Sequence, residues 1–321
     1  MYKDSSIFVA GHKGMVGSAI VRRLRESGYT NLIVRSRGEL DLRNASAVDR
    51  FFATERPEYV FLAAAKVGGI LANRDYPADF IGDNLAIQTN VIHEAWRARI
   101  KRLLFFGSSC IYPRDCPQPI SEDSLLTGPL EPTNQWYAIA KIAGIKLAEA
   151  YRQQYGNDFI SVMPTNLYGP GDNYHPEHSH VPAALIRRLH EAKVAGASTV
   201  VVWGSGQPRR EFLAVDDLAD ACVFVMKHYS GSRFLNVGTG KDITIAGFAQ
   251  LVADVVGYRG RFIFDTSRPD GAPQKLLNVS ELSRLGWRAK IPLREGLIQA
   301  YADFLAAGDR RAASEANANA I

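Results

Sequence analysis

"SIFVAGHKGMVGSAI", residues 6–20, decides the fold. Ser6 to Ala10 reads as a short buried strand, and a helix follows from Met15 to about Ser27. Between them lie Gly11, Gly14 and Gly17. Glycines in a strand-to-helix turn let the backbone come close to a pyrophosphate, and the helix N terminus offers it free N–H groups and a positive dipole. The spacing is GxxGxxG rather than the commoner GxGxxG, so the argument rests on position, at the head of a βαβ series. Gly11, His12, Lys13, Gly14, Met15, Val16 and Gly17 are therefore the expected dinucleotide contacts.

Outward from this stretch the chain alternates. Strands are expected at Asn31–Arg35, Glu58–Ala65, Arg102–Ser109 and Phe159–Pro164, with helices at about Ala78–Ala98 and Trp136–Tyr155. Such alternation predicts an α/β fold with a doubly wound, parallel Rossmann sheet. After Pro164 the texture changes to the Gly/Pro/His-rich "TNLYGPGDNYHPEHSHVP" and mixed short elements, which predicts a smaller C-terminal α/β substrate lobe. The expected division is a dinucleotide domain over 1–168 with a returning segment near 212–245, a substrate lobe from 169–211 and 246–308, and a frayed tail over 309–321.

Composition narrows the function classes. With 321 residues, 46% hydrophobic and 22% charged, the chain can bury a substantial core. The net charge is +5 but no run of five basic residues occurs, which favours a site for an anionic ligand over a nucleic-acid groove. Three cysteines without CxxC or Cys/His spacing argue against a disulfide framework or a metal site. The N terminus commits at once to a strand, and no apolar run approaches the ~20 residues of a membrane helix, so a cytoplasmic location is expected.

The end of the second strand speaks to the cofactor. An NAD site usually carries an acidic residue there, for the ribose 2′-hydroxyl. Here "VRSRGEL" places Arg35 and Arg37, and Lys13 adds charge from the glycine loop. Guanidinium groups suit a 2′-phosphate, which predicts NADP(H) with Arg37 as a contact. Glu39 and Asp41 lie close enough to keep NAD open.

In "WYAIAK", Tyr137 and Lys141 stand four apart on one helix face. A neighbouring ammonium is expected to lower the tyrosine pKa from its usual ~10. Ser108, at the end of the fourth strand, can share a carbonyl oxygen with the phenol. The glycine loop, the Ser-Ser strand end and YxxxK together resemble the extended short-chain dehydrogenase/reductase family. That resemblance implies a nucleotide-sugar substrate and hydride transfer between nicotinamide and a sugar carbon, served by Tyr137, Lys141 and Ser108.

Longer strings resemble the family of GDP-L-fucose synthases: "AAAKVGGI" (63–70), "GSSCIYP" (107–113), "EPTN" (131–134), "MPTNLYGPGDN" (163–173), "HSHVPA" (178–183) and "VVVWGSGQPRREFL" (200–213). The resemblance implies two epimerisations and one reduction of GDP-4-keto-6-deoxy-D-mannose, in a homodimer. Inverting C3 and C5 beside a ketone needs one group to take a proton and another to return one on the opposite face. Cys110 and His180 match the family positions for these roles; His175 and His178 share the loop as rivals. An inert buried thiol is the competing reading of Cys110, and Cys116 and Cys222 are read as inert. The resemblance also carries substrate contacts to Arg188, Trp203, Arg210 and Asp270, and cofactor contacts to Lys141, His180, Pro164, Thr165, Asn166 and Leu167. Gln135-Trp136 departs from the smaller pair expected before Tyr137. Another nucleotide-sugar epimerase or reductase, or a non-catalytic NADP sensor, are the alternatives. A dehydratase would carry an Asp-Glu pair where Cys110-Ile111 stands.

Overall fold

A computed structural model describes residues 1–176, 179–267 and 270–318. The chain opens with β1 (Ile7–Ala10), buried throughout, and α1 (Met15–Glu26), which turns Ala19, Ile20 and Leu24 inward. After β2 (Leu32–Ile33) comes α2 (Ala45–Glu55), started by Asn44, whose side chain accepts from the Ala47 N–H. β3 (Tyr59–Leu62) leads to a short α3 (Ile70–Asp75) and a long α4 (Pro77–Arg97), with proline in the first turn, where its missing N–H costs nothing. β4 (Arg102–Phe106), α5 (Gln135–Tyr155), β5 (Phe159–Pro164) and β6 (Asn166–Tyr168) follow.

The rest of the chain supplies α6 (Val181–Val194), β7 (Thr199–Trp203), β8 (Arg209–Ala214) and α7 (Val215–His228). It continues with β9 (Leu235–Val237), β10 (Asp242–Thr244), α8 (Ile245–Val256) and β11 (Arg261–Asp265). It ends with β12 (Gln274–Lys275), α9 (Ser280–Arg284) and α10 (Leu293–Ala318). The tail expected to fray is carried within α10 as far as Ala318.

Six parallel strands form the main sheet in the order β2-β1-β3-β4-β5-β9. Helices cover both faces, so its central strands are apolar without alternation. One core lies between the sheet and α1 and α7; the other lies between the sheet and α2, α4 and α5. A third core joins α6, α8 and α10 to the smaller strands. There β8 pairs with β6, β10 and β12, and β7 pairs with β11. In β7, Val200 and Val202 are buried while Val201 and Trp203 face outward, the alternation of a half-covered strand.

The strand order reverses where β1 lies beside β3, and ligands of such sheets bind beyond the strand ends at that point. The expected α1, α4, α5 and β5 are found within a residue of their bounds. The expected second, third and fourth strands are longer than those observed, because their C-terminal residues run past their partners into loops. Helix α2 was not anticipated, its apolar residues being confined to Val48, Phe51 and Phe52 on one face.

Candidate active site

The loop after β1 closes tightly. Gly11 has φ +85°, and a Cβ there would lie 2.8 Å from the Ala64 Cα in the loop after β3. A Cβ on Gly17 would overlap the Gly11 carbonyl oxygen. Gly14 is the N-cap of α1 and makes no side-chain cap, and no acidic residue lies in the first turn. The helix N terminus is thus left to an outside anion. His12 Nδ1 is buried without a hydrogen-bond partner, a second polar group in this loop awaiting one.

At the end of β2 the arginines divide. Arg35 is committed to Glu55, 2.6 Å away, and to the Val34 carbonyl, so it is structural. Arg37 stays exposed. Both acids that kept NAD open are engaged: Glu39 Oε2 accepts from the Ser36 N–H and hydroxyl at 2.6 Å, and Arg43 holds Asp41, whose pKa falls to about 2.

Catalytic candidates gather beyond β4. Gly107 still donates to Val162; a side chain there would overlap Met163. Ser108 then starts the 3-10 turn Ser109–Ile111, its hydroxyl accepting from the Cys110 N–H at 3.5 Å. Cys110 is buried in that turn. Above it runs α5, drawn close because Gly144 leaves room for Phe105. Lys141 is 3% exposed, donates from Nζ to the Phe106 carbonyl at 2.8 Å, and lies 4.9 Å from the Phe105 ring centre and 5.7 Å from that of Tyr137. Tyr137 also meets Phe80 edge-on.

The electrostatics correct one expectation. Burial pushes the Tyr137 phenol up, with Cys110 adding to the rise, and lowers Lys141 to about 8. The ammonium hydrogen-bonds a carbonyl rather than the phenol, and burial penalises both charged forms, so no net lowering of the tyrosine results. Burial likewise raises the Cys110 thiol, opposed by Lys275, by the Ser108 hydrogen bond and by Lys141.

His180 is the N-cap residue of α6. The residue as a whole is exposed, yet the surrounding protein desolvates its ring enough to lower its pKa, favouring the neutral imidazole. His175 lies exposed in the same loop; His178 falls outside the described residues. Pro164 closes β5; Leu167 lies in β6 against the first core. The Thr165 hydroxyl and Asn166 amide both donate to the Glu211 carbonyl.

The predicted substrate residues form two groups. Arg188 reaches the Val201 carbonyl at 2.9 Å and stacks 5.8 Å over the exposed Trp203. Asp270 takes the Ser205 N–H at 2.7 Å and the Ser205 hydroxyl at 2.8 Å, and its charge acts on Arg210. Arg209 is turned away to Asp242, leaving Arg210 half-buried at the cleft, where desolvation lowers its pKa.

Sequence reasoning missed Lys275. It stands opposite Arg210 in the β12–β8 register, and desolvation lowers its pKa, with Cys110 opposing. A two-residue strand gives no periodic signal, and the basic character of "PQK" was its only trace. Glu211 was also missed. It is fully buried; Oε1 accepts from the N–H groups of Thr239 and Gly240 at 2.6 and 2.7 Å, and Oε2 from that of Leu277 at 3.0 Å. Among the described residues no group of three or more His, Cys, Asp or Glu could hold a metal ion.

Comparison with known proteins agrees with this arrangement. The chain is 61% identical over 303 residues to GDP-L-fucose synthase 1 of Arabidopsis thaliana, covering 94% of each. It is 56% identical over 313 residues to GDP-L-fucose synthase of Escherichia coli (strain K12), covering 95% of this chain and 98% of the other. A GDP-L-fucose synthetase from Naegleria fowleri bound to NADP superposes with a TM-score of 0.89 at 28% identity, covering 96% of each. The profile of the NAD dependent epimerase/dehydratase family matches residues 7–238, the stretch that holds the glycine loop, Cys110, the Tyr137–Lys141 pair, His180 and Arg210. On that match, and on relatives similar over nearly their whole length, this chain belongs to the NAD dependent epimerase/dehydratase family.

Proposed function

We propose that this protein is an NADPH-dependent epimerase and reductase that converts GDP-4-keto-6-deoxy-D-mannose to GDP-L-fucose. The observation that carries the reading is the meeting, beyond β4, of a buried thiol, a Tyr–Lys pair and the Arg210–Lys275 couple. A simple reductase needs the pair alone; inversion of two centres needs the thiol as well.

The cofactor fits the residues present. The uncapped N terminus of α1 and the orphaned His12 Nδ1 suit a pyrophosphate, while Lys13 and Arg37, with Glu39 and Asp41 engaged elsewhere, favour a 2′-phosphate. Bound NADPH supplies the hydride that reduces C4. Pro164, Thr165, Asn166 and Leu167 border the place for its nicotinamide, near Lys141 and His180.

Arg210 and Lys275 grip the substrate diphosphate, with Arg188, Trp203 and Asp270 toward the nucleoside. The C4 ketone makes the protons at C3 and C5 acidic. Cys110, as thiolate, removes a proton from one face, and His180, after taking a proton from solvent to become the imidazolium, returns it to the other and is left as the neutral imidazole that its surroundings favour. Cys110 needs its thiolate stabilised against burial, and Lys275 and Lys141 bring positive charge to it. Tyr137 then gives its proton to the C4 oxygen as the hydride reaches C4, with Ser108 donating to the same oxygen and Lys141 holding positive charge beside the phenol. No metal is needed for any of these steps.

We further assign residues 1–168, with a return near 212–245, to the cofactor lobe, and 169–211 with 246–308 to the substrate lobe. The strand β9 within the main sheet and the separate third core support this division. A homodimer through α4 and α5 is supported by the exposed Trp136, Ile139 and Tyr155 on α5. A cytoplasmic location is in keeping with the absence, among the described residues, of any helix long and apolar enough to cross a membrane.

The test is to mix enzyme, NADPH and GDP-4-keto-6-deoxy-D-mannose. Loss of the reduced-nicotinamide absorbance with appearance of GDP-L-fucose is expected. Reduction that yields only the unepimerised sugar would reduce the protein to a ketoreductase.

A further inference from the structure

Glu131 opens the 3-10 turn Pro132–Asn134, six residues before Tyr137. Its Oε1 caps that turn, accepting from the Thr133 N–H at 3.5 Å and the Thr133 hydroxyl at 3.2 Å. Its Oε2 is buried and receives no hydrogen bond. The nearest cation, Arg114 Nε, stands at 3.6 Å, beyond hydrogen-bonding distance. The Arg114 side chain is 46% exposed against 15% for Glu131, so the ion pair is weak and supplies the buried oxygen with no hydrogen bond. A buried acceptor without a donor is costly, and its persistence calls for a reason.

The surroundings say what kind of donor is missing. The charge of Glu131, which lies six residues before Tyr137, acts on both Arg210 and Lys275. A diphosphate held by those cations offers only acceptors and negative charge, so it cannot satisfy Oε2 and is repelled by it. A sugar hydroxyl can donate to it. On the reading proposed above, the nucleoside is taken by Arg188 and Trp203 instead.

We propose that Glu131 is a substrate-orienting residue whose Oε2 accepts a hydrogen bond from a hydroxyl of the hexose ring. By repelling phosphate and accepting from hydroxyl, the carboxylate fixes which end of the nucleotide sugar lies beside Tyr137. The inference rests on the nucleotide-sugar reading above and adds a residue which that reading does not use.

The test compares GDP with GDP-mannose, an unreactive probe carrying ring hydroxyls, by titration calorimetry on the full chain. Glu131→Gln keeps the side-chain volume and one oxygen to cap Thr133. It should weaken GDP-mannose by about tenfold or more while leaving GDP within about twofold. Arg114→Ala should leave both affinities unchanged. Equal weakening of the two ligands by Glu131→Gln would mean the carboxylate acts through Arg210 and Lys275, and would overturn the proposal. So would an unchanged affinity for GDP-mannose, or an Arg114→Ala variant that reproduces the loss. Turnover is measured separately: wild-type enzyme that binds GDP-mannose through Glu131 yet does not convert GDP-4-keto-6-deoxy-D-mannose would overturn the reaction and leave the orienting contact standing. Wild-type enzyme that binds neither ligand would overturn both.

Discussion

Replacing Lys141 with methionine should abolish reduction and, at pH 7 without nucleotides, make the protein more stable. The ammonium is 3% exposed, and burial drops its pKa from 10.5 to about 8. At ~1.36 kcal/mol per pH unit, keeping it charged in the folded chain costs roughly 3 kcal/mol. Methionine removes that cost, keeps most of the apolar stem and adapts to irregular gaps. It also leaves the Phe106 carbonyl without its donor, which takes back about 1–2 kcal/mol. The net gain of about 1–2 kcal/mol should raise the melting temperature by a few degrees. The sign of the pH dependence follows from the depressed value. Between about 8 and 10.5 the unfolded chain binds the proton that the folded chain has lost, so wild-type stability rises with pH across that window, while below it the full cost stands. Methionine has no proton to exchange. The stability gap between variant and wild type should therefore be widest near pH 7 and shrink toward pH 10, as read from thermal melts followed by circular dichroism. A variant less stable than wild type at pH 7, or a gap that does not change with pH, would refute the argument that Lys141 is held charged against its surroundings.

Tyr137→Phe should lower the rate of C4 reduction by about 100-fold or more while NADPH affinity, measured by fluorescence titration, changes little; equal loss of both would remove the tyrosine from proton transfer. Cys110→Ser should stop solvent deuterium from entering at C3 and C5, read by mass spectrometry of the sugar, and unchanged exchange would leave the thiol a packing group. Arg37→Glu should weaken NADPH at least about tenfold with little effect on NADH, and a parallel loss of both would end the 2′-phosphate argument.

How far the sequence could be read depended on length and period. The strand, glycine turn and helix of residues 7–26 and the 21-residue helix that carries Tyr137 and Lys141 are local patterns, and both stand where the pattern puts them. Helix α2 was illegible because charged and small residues surround its three apolar positions, and only its Asn44 cap marks the start. Arg35 could not be told from Arg37 in sequence, since its commitment to Glu55 depends on α2 folding back against β2. The pKa of Tyr137 was misread for a related reason. Helical spacing brings Lys141 to the right face but is silent on depth, and depth decides whether a charge pair lowers a phenol or desolvation raises it.

Lys275, Glu131 and Glu211 share a different cause: their roles come from contacts far along the chain. Glu211 shows it most clearly. Its backbone carbonyl takes both side chains of the Thr165-Asn166 pair proposed to border the nicotinamide, and its carboxylate gathers N–H groups from the turn after β9 and from Leu277, two residues past Lys275. The buried carboxylate is satisfied only when both of those segments are in place, and the carbonyl of the same residue holds the third. The residue just before it, Arg210, and its register partner Lys275 therefore take their positions from the same residue that holds Thr165 and Asn166. Hydride transfer needs the diphosphate anchor and the nicotinamide held in mutual register to within a fraction of an ångström. On the proposed reading these two anchors are Arg210 with Lys275 and the Thr165-Asn166 pair, and one buried residue on β8 ties them together, by its carboxylate on one side and its backbone carbonyl on the other.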